Sequence, residues 1–163
     1  MSDAEGQTVI MRVLLKAVLD CEPDAAWRAV RSPAVMREVA WPFLGFSSLD
    51  GEFPERWTPG PHPVAVNALG LVPVGEQVID ISYHRRGDAD IQIDSGRGLS
   101  GTLELVTAWE HSIAIASAPG GGTLYRDRLV FGVGPATLAA WPAYWAFWQW
   151  RLARLRRLAP TWE

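Results

Sequence analysis

The stretch from Pro135 to Leu158 constrains this chain most, because its spacing demands a helix and its aromatic load demands something to cover it. Leu138, Trp141, Trp145, Trp148, Leu152 and Leu155 follow one another at steps of 3, 4, 3, 4 and 3, which puts all six on one helical face. Arg151, Arg154, Arg156 and Arg157 end the segment, where cations complement the negative end of a helix and stay solvated. The part free of arginine is shorter than the roughly 20 residues of a bilayer span, and Pro142 interrupts it, so no integral membrane segment is expected. The helix must therefore lie on an apolar surface that the rest of the chain supplies.

That surface is legible upstream as alternation. Between Thr8 and Leu19, Val9, Met11, Val13, Leu15, Ala17 and Leu19 share one face and Arg12 and Lys16 the other, the pattern of a half-buried strand. Glu22-Pro23-Asp24 and Ser32-Pro33 then read as two helix starts, giving short helices over Pro23–Val30 and Pro33–Val39 that Pro42 stops. Asp50-Gly51 reads as a turn, and the prolines from Pro54 to Pro63 as an irregular loop. Val64–Leu71 and Glu76–Arg85 form a hairpin closed near Pro73–Gly75, with Ile79, Ile81 and Tyr83 on one face and the small Ala68 and Gly70 opposite Ile79 and Gln77, leaving room inside. Ala89–Asp94 is a short strand, Thr102–Ser117 a long one, and Pro119–Gly122 turns the chain into a last strand over Thr123–Val133.

The order is strand, two short helices, a run of strands and a long helix. It predicts an α+β fold in which a curved antiparallel sheet of six to seven strands wraps around the C-terminal helix, a helix-grip. A chain of 163 residues without repeats or a linker fits a single domain over 1–163. The net charge of -3 is mild and the cations concentrate near the C-terminus, which argues against a nucleic-acid partner. Cys21 stands alone, and Ser2, Asp3, Glu5 and Gly6 do not resemble a signal peptide, so a cytoplasmic setting is the default expectation.

Alternation puts Trp109, His111, Tyr125 and Asp127 on the face that looks toward the helix. If the glycine loop closes symmetrically, Asp127 lies opposite Ile113 and diagonally near His111. Such a pair either satisfies itself inside the sheet or works as general base and orienting acid on an enolisable substrate. The rings of Trp141, Tyr144, Trp145 and Trp148 fill the core, line a cavity, or do both. Phe147 and Trp150 sit well round the helix from the main stripe and are candidates for a surface that meets a partner, a second copy or a membrane. His62, His84 and His111 have no metal-ligand spacing, and Pro119–Gly122 lacks the following helix of a phosphate cradle, so no metal and no cofactor is expected.

Four pieces in this order and spacing carry a resemblance across the whole chain: Asp24-Ala25-Ala26-Trp27 with Ser32-Pro33, Trp109-Glu110-His111, Thr123-Leu124-Tyr125-Arg126-Asp127-Arg128, and the aromatic-then-arginine helix. Together they resemble the START-like, polyketide cyclase/dehydratase-like SRPBCC proteins, relatives of the birch pollen allergen. The resemblance implies a deep apolar cavity between sheet and helix that binds a lipid, a polyketide or another hydrophobic molecule. The expected lining is Tyr83, Trp109, His111, Tyr125, Asp127, Trp141, Trp145 and Trp148. It also leaves open a cyclase or dehydratase using His111 and Asp127, and an interaction module similar to activators of a chaperone ATPase.

Overall fold

The computed structural model describes residues 9–163, so Ser2, Asp3, Glu5, Gly6 and the proposed strand start at Thr8 lie outside the described residues. The chain runs β1 (Met11–Leu19), α1 (Pro23–Val30), α2 (Pro33–Ala40), β2 (Leu44–Ser48), β3 (Gly60–Ala68), β4 (Val72–Arg86), β5 (Ala89–Asp94), β6 (Arg97–Gly98), β7 (Ala108–Ser117), β8 (Thr123–Gly132) and α3 (Thr137–Leu158). Both short helices begin with proline in the first turn, and Ser32 Oγ accepts from Val35 N to cap α2. The strands form one antiparallel sheet in the order β1-β8-β7-β5-β4-β3-β2, with β6 paired to β4. The ends β1 and β2 do not meet, and the open sheet grips α3, which packs on β1 and α2. This is an α+β helix-grip.

Two local expectations need correction. The hairpin between β3 and β4 closes at Leu69-Gly70-Leu71, where Leu69 and Gly70 take φ of 51° and 69°, and Gln77 pairs with Val64 and Ile79 with His62. Pro73–Gly75 marks instead a bulge in β4: the register slips between Val66 and Asn67, and Gly75 sits so close to a neighbouring loop that a Cβ would lie 2.1 Å from Ser100 O. Ala68 and Gly70 therefore belong to the hairpin tip. The loop assigned to the prolines also ends early, because Gly60–Pro63 already pairs with β4.

The second correction concerns Thr102–Ser117. Its first residues form a 3₁₀ turn, Gly101–Leu105, and the strand starts only at Ala108. Gly101, at φ 63°, bends the chain, and Thr102 Oγ1 donates to Val74 O while Leu103 packs on the β3–β4 cluster. The apolar alternation of Leu103 and Leu105 continues that of β7 by sequence alone.

Burial separates the molecule into three apolar clusters. Ala17, Leu19, Ile115 and Tyr125 meet Leu152 and Leu155 of α3; Val64, Val66, Ile79 and Ile81 surround Trp57; Val13, Leu129 and Phe131 meet Trp148. The side chains that turn outward from β7 and β8 include Glu110 and Arg128, paired at 3.0 Å in solvent.

Candidate functional site

Residues from all three clusters face a common cavity of about 1220 Å³ between the sheet, α2 and α3. It stays open because α3 offers it small side chains, Ala143, Ala146 and Ala153, and because two of the helix's tryptophans turn aside. Trp145 is 45% exposed, and Trp141 donates its indole N–H to Arg12 O at the β1 edge. The inward face of α3 thus corrects the even apolar stripe. Leu138 and Trp145 leave it, Tyr144 and Arg151 join it, and Trp148, Leu152 and Leu155 remain.

A polar cluster sits in the otherwise apolar wall. The antiparallel register of β7 and β8 places Ile113 opposite Asp127, which brings His111 diagonally to the carboxylate. His111 Nε2 lies 2.8 Å from Asp127 Oδ1, Trp148 Nε1 donates to the same oxygen at 3.0 Å, and Tyr125 Oη donates to Oδ2 at 2.6 Å. Burial pushes the Asp127 carboxyl up, but His111, Arg151 and the Tyr125 hydroxyl outweigh it and hold the group at about 2. Burial and the neighbouring Asp127 charge push the Tyr125 phenol well above its ordinary value, so it remains a donor. An ionised Asp127 is acceptor only, which assigns the hydrogen on Nε2 to His111. His111 and Tyr125 border the cavity, and Asp127 stands behind them.

A second carboxyl, Asp94, borders the same space one strand over, paired with His111 across β5 and β7. It accepts from Asp80 N, Gly96 N and Trp109 Nε1 at 2.8, 2.9 and 3.1 Å. Desolvation nevertheless raises its carboxyl above the ordinary value. Sequence reading missed it, since an Asp before Ser95-Gly96 carries the signature of a turn.

The remaining expected residues divide. Trp109 and Trp148 border the cavity, their rings 6.0 Å apart. Tyr83 lies outside the lining: its hydroxyl donates to Trp57 O at 2.6 Å and its ring packs between Trp27 and Arg31. Trp57, hidden in the proline-rich loop, borders the cavity in its place. Phe147 and Trp150 do not form an outer surface. Both border the cavity, and Trp150 packs edge-on against Phe43 and donates to Trp41 O. Arg151 reverses the expectation of a solvated arginine cluster, being only 8% exposed with its guanidinium 4.7 Å from the Trp148 ring.

No family model matches this chain. No curated protein matches it either. Solved structures do share the fold. A hypothetical protein of Helicobacter pylori superposes with a TM-score of 0.67 at 11% identity, covering 96% of this chain and 91% of that one. A protein of Chromobacterium violaceum gives 0.59 at 19% identity, with 91% and 96% covered. Norcoclaurine synthase of Thalictrum flavum, in complex with dopamine and hydroxybenzaldehyde, gives 0.61 at 11% identity, with 93% and 87% covered. The similarity is one of fold, that of the birch pollen allergen-like helix-grip.

Proposed function

We propose that the protein binds a hydrophobic small molecule in the cavity between the sheet and α3. The observation that carries this reading is the cavity itself: about 1220 Å³, walled by Ile79, Ile81, Val39 and Leu155 with only a few polar groups among them. Binding sites of this kind are concave and mostly apolar, with a few polar groups that fix orientation. A shared fold with an enzyme that holds two aromatic compounds is compatible with it. Native mass spectrometry of the purified protein, with a thermal-shift panel of fatty acids, sterols and polycyclic aromatics, tests it. A ligand at a hundred times its dissociation constant adds about 2.7 kcal/mol of stability and raises the melting temperature visibly. No co-purified mass and no shift across the panel counts against the reading.

A second reading has its own support, the placement of His111 between Asp127 and the cavity. With Nε2–H held by Asp127, a neutral His111 presents Nδ1 as the basic atom. Cyclase or dehydratase chemistry begins by taking a proton next to a carbonyl, which a base so oriented performs. Deuterium wash-in at the acidic carbon of 1-phenyl-1,3-butanedione in D₂O reads this step. Wild type accelerates the exchange and His111→Gln does not, while both bind the diketone. Equal exchange with and without protein removes the enzymatic reading and leaves the binding one intact.

A further inference from the structure

Arg151 is the most deeply buried cation among the described residues, and it has no protein acceptor among them. The other arginines of the fold show how unusual this is. Arg28 reaches the Glu163 carbonyl, Arg85 and Arg128 pair with Asp90 and Glu110, and Arg154 reaches Glu38 O. Arg151 has only the face of the Trp148 ring, 4.7 Å away, a contact that leaves the N–H edges of the guanidinium unused. Its nitrogens are not sealed in protein either, because they are absent from the buried unpaired atoms and the residue borders the cavity. The five donors therefore open into the cavity.

Two ordinary explanations fail. Arg151 stands seven residues before the last residue of α3, Leu158, outside the final turn where a cation complements the helix carbonyls. Asp127 is close enough to feel its charge, yet the two are not in ion-pair contact, and Asp127 already accepts from His111, Trp148 and Tyr125. A buried guanidinium without an acceptor is costly, and an arriving acceptor removes that cost. A guanidinium fork matches a carboxylate through two parallel hydrogen bonds. A single cation in an apolar wall also suits a monoanion better than a phosphate dianion, which would bring surplus charge into a space already holding Asp94 and Asp127.

We infer that the cavity ligand is an amphipathic carboxylic acid, its apolar body in the space between sheet and α3 and its carboxylate on Arg151. This inference rests on the proposed binding function and specifies the chemical class. The test uses a matched fluorescent pair, 1-pyrenebutyric acid and 1-pyrenebutanol, titrated into wild type, Arg151→Met and Arg151→Lys at neutral pH. Wild type should prefer the acid by about tenfold or more, the effect of a charge-assisted hydrogen bond. Arg151→Met, which keeps the stem packed on Trp148, should lose that preference with the alcohol's affinity unchanged, and Arg151→Lys should retain part of it. Circular dichroism verifies folding, and the preference of wild type together with Arg151→Lys decides the matter if Arg151→Met does not fold. Equal binding of acid and alcohol by wild type, or a preference that survives in Arg151→Met, overturns the carboxylate inference while the cavity reading stands. Binding of neither probe overturns both.

Discussion

His111 Nε2 and Trp148 Nε1 converge on one oxygen, Asp127 Oδ1, at 2.8 and 3.0 Å. Three elements, β7, β8 and α3, thus share a single buried carboxylate, and the long helix is fixed to the sheet by a polar contact inside an apolar wall. Trp148→Phe keeps most of the ring volume and deletes one charge-assisted donor. It should lower unfolding stability by about 2 kcal/mol, read from urea midpoints at constant m-value. An unchanged midpoint would mean that the indole contact contributes nothing net.

The same carboxylate sets the response to acid. Asp127 titrates at about 2 in the folded protein against an ordinary 3.8, so its contribution is present above 3.8 and lost as pH falls through 2. The difference corresponds to about 2 kcal/mol. Asp94 has the opposite sign. Its carboxyl is raised on folding, so its contribution is present below the ordinary value and lost as pH rises through the folded one. Urea midpoints measured between pH 6 and pH 2 should therefore fall less steeply toward acid for Asp127→Asn than for wild type, and more steeply for Asp94→Asn. Parallel curves for all three proteins would remove both assignments.

Periodicity revealed the architecture because burial on one face writes itself into the sequence at every second or every third and fourth residue. The starts of α1 and α2 were equally legible, since Pro23 and Pro33 fit only the first helical turn. What periodicity does not encode is space. The stripe on α3 includes Trp145 because helical spacing includes it, yet an open cavity removes the surface that would have covered this residue, leaving it 45% exposed. Arg151 fell between apolar neighbours in the same pattern, and a charge there reads as surface unless something inside requires it. The bulge at Gly75 and the 3₁₀ turn at Gly101 depend on contacts between segments distant in sequence, Ser100 with Gly75 and Thr102 with Val74. His111 and Asp127 were findable because their approach depends only on a symmetric hairpin register.

Gln92 on β5 offers a separate test of how the interior is balanced. It is buried, its Oε1 has no hydrogen-bond partner among the described residues, and its Nε2 reaches Val30 O only at 3.5 Å. A buried acceptor without a donor costs about 1–3 kcal/mol, and so long a hydrogen bond returns little of it. Gln92→Leu, similar in size and free of polar atoms, should raise stability by about 1 kcal/mol, measured by chemical denaturation. Destabilisation would show that the amide satisfies itself in solution, through water or through the Val30 carbonyl.

The small residues of α3 carry the last prediction. Ala146 borders the cavity and is exposed, so a larger side chain there meets open space instead of packed core. Ala146→Trp should occupy part of that space and weaken binding of a hydrophobic probe such as 1-pyrenebutanol by about tenfold. Stability should stay within about 0.5 kcal/mol of wild type, as for substitutions that disturb no packed contact. The control is Ala139→Trp on the same helix, exposed but outside the cavity lining, which should leave probe binding unchanged. The contrast separates occupation of the cavity from any general effect of another tryptophan on α3. If both variants bind the probe as wild type does, the probe lies elsewhere. If both lose it equally, the helix as a whole, and not the space beneath Ala146, controls access.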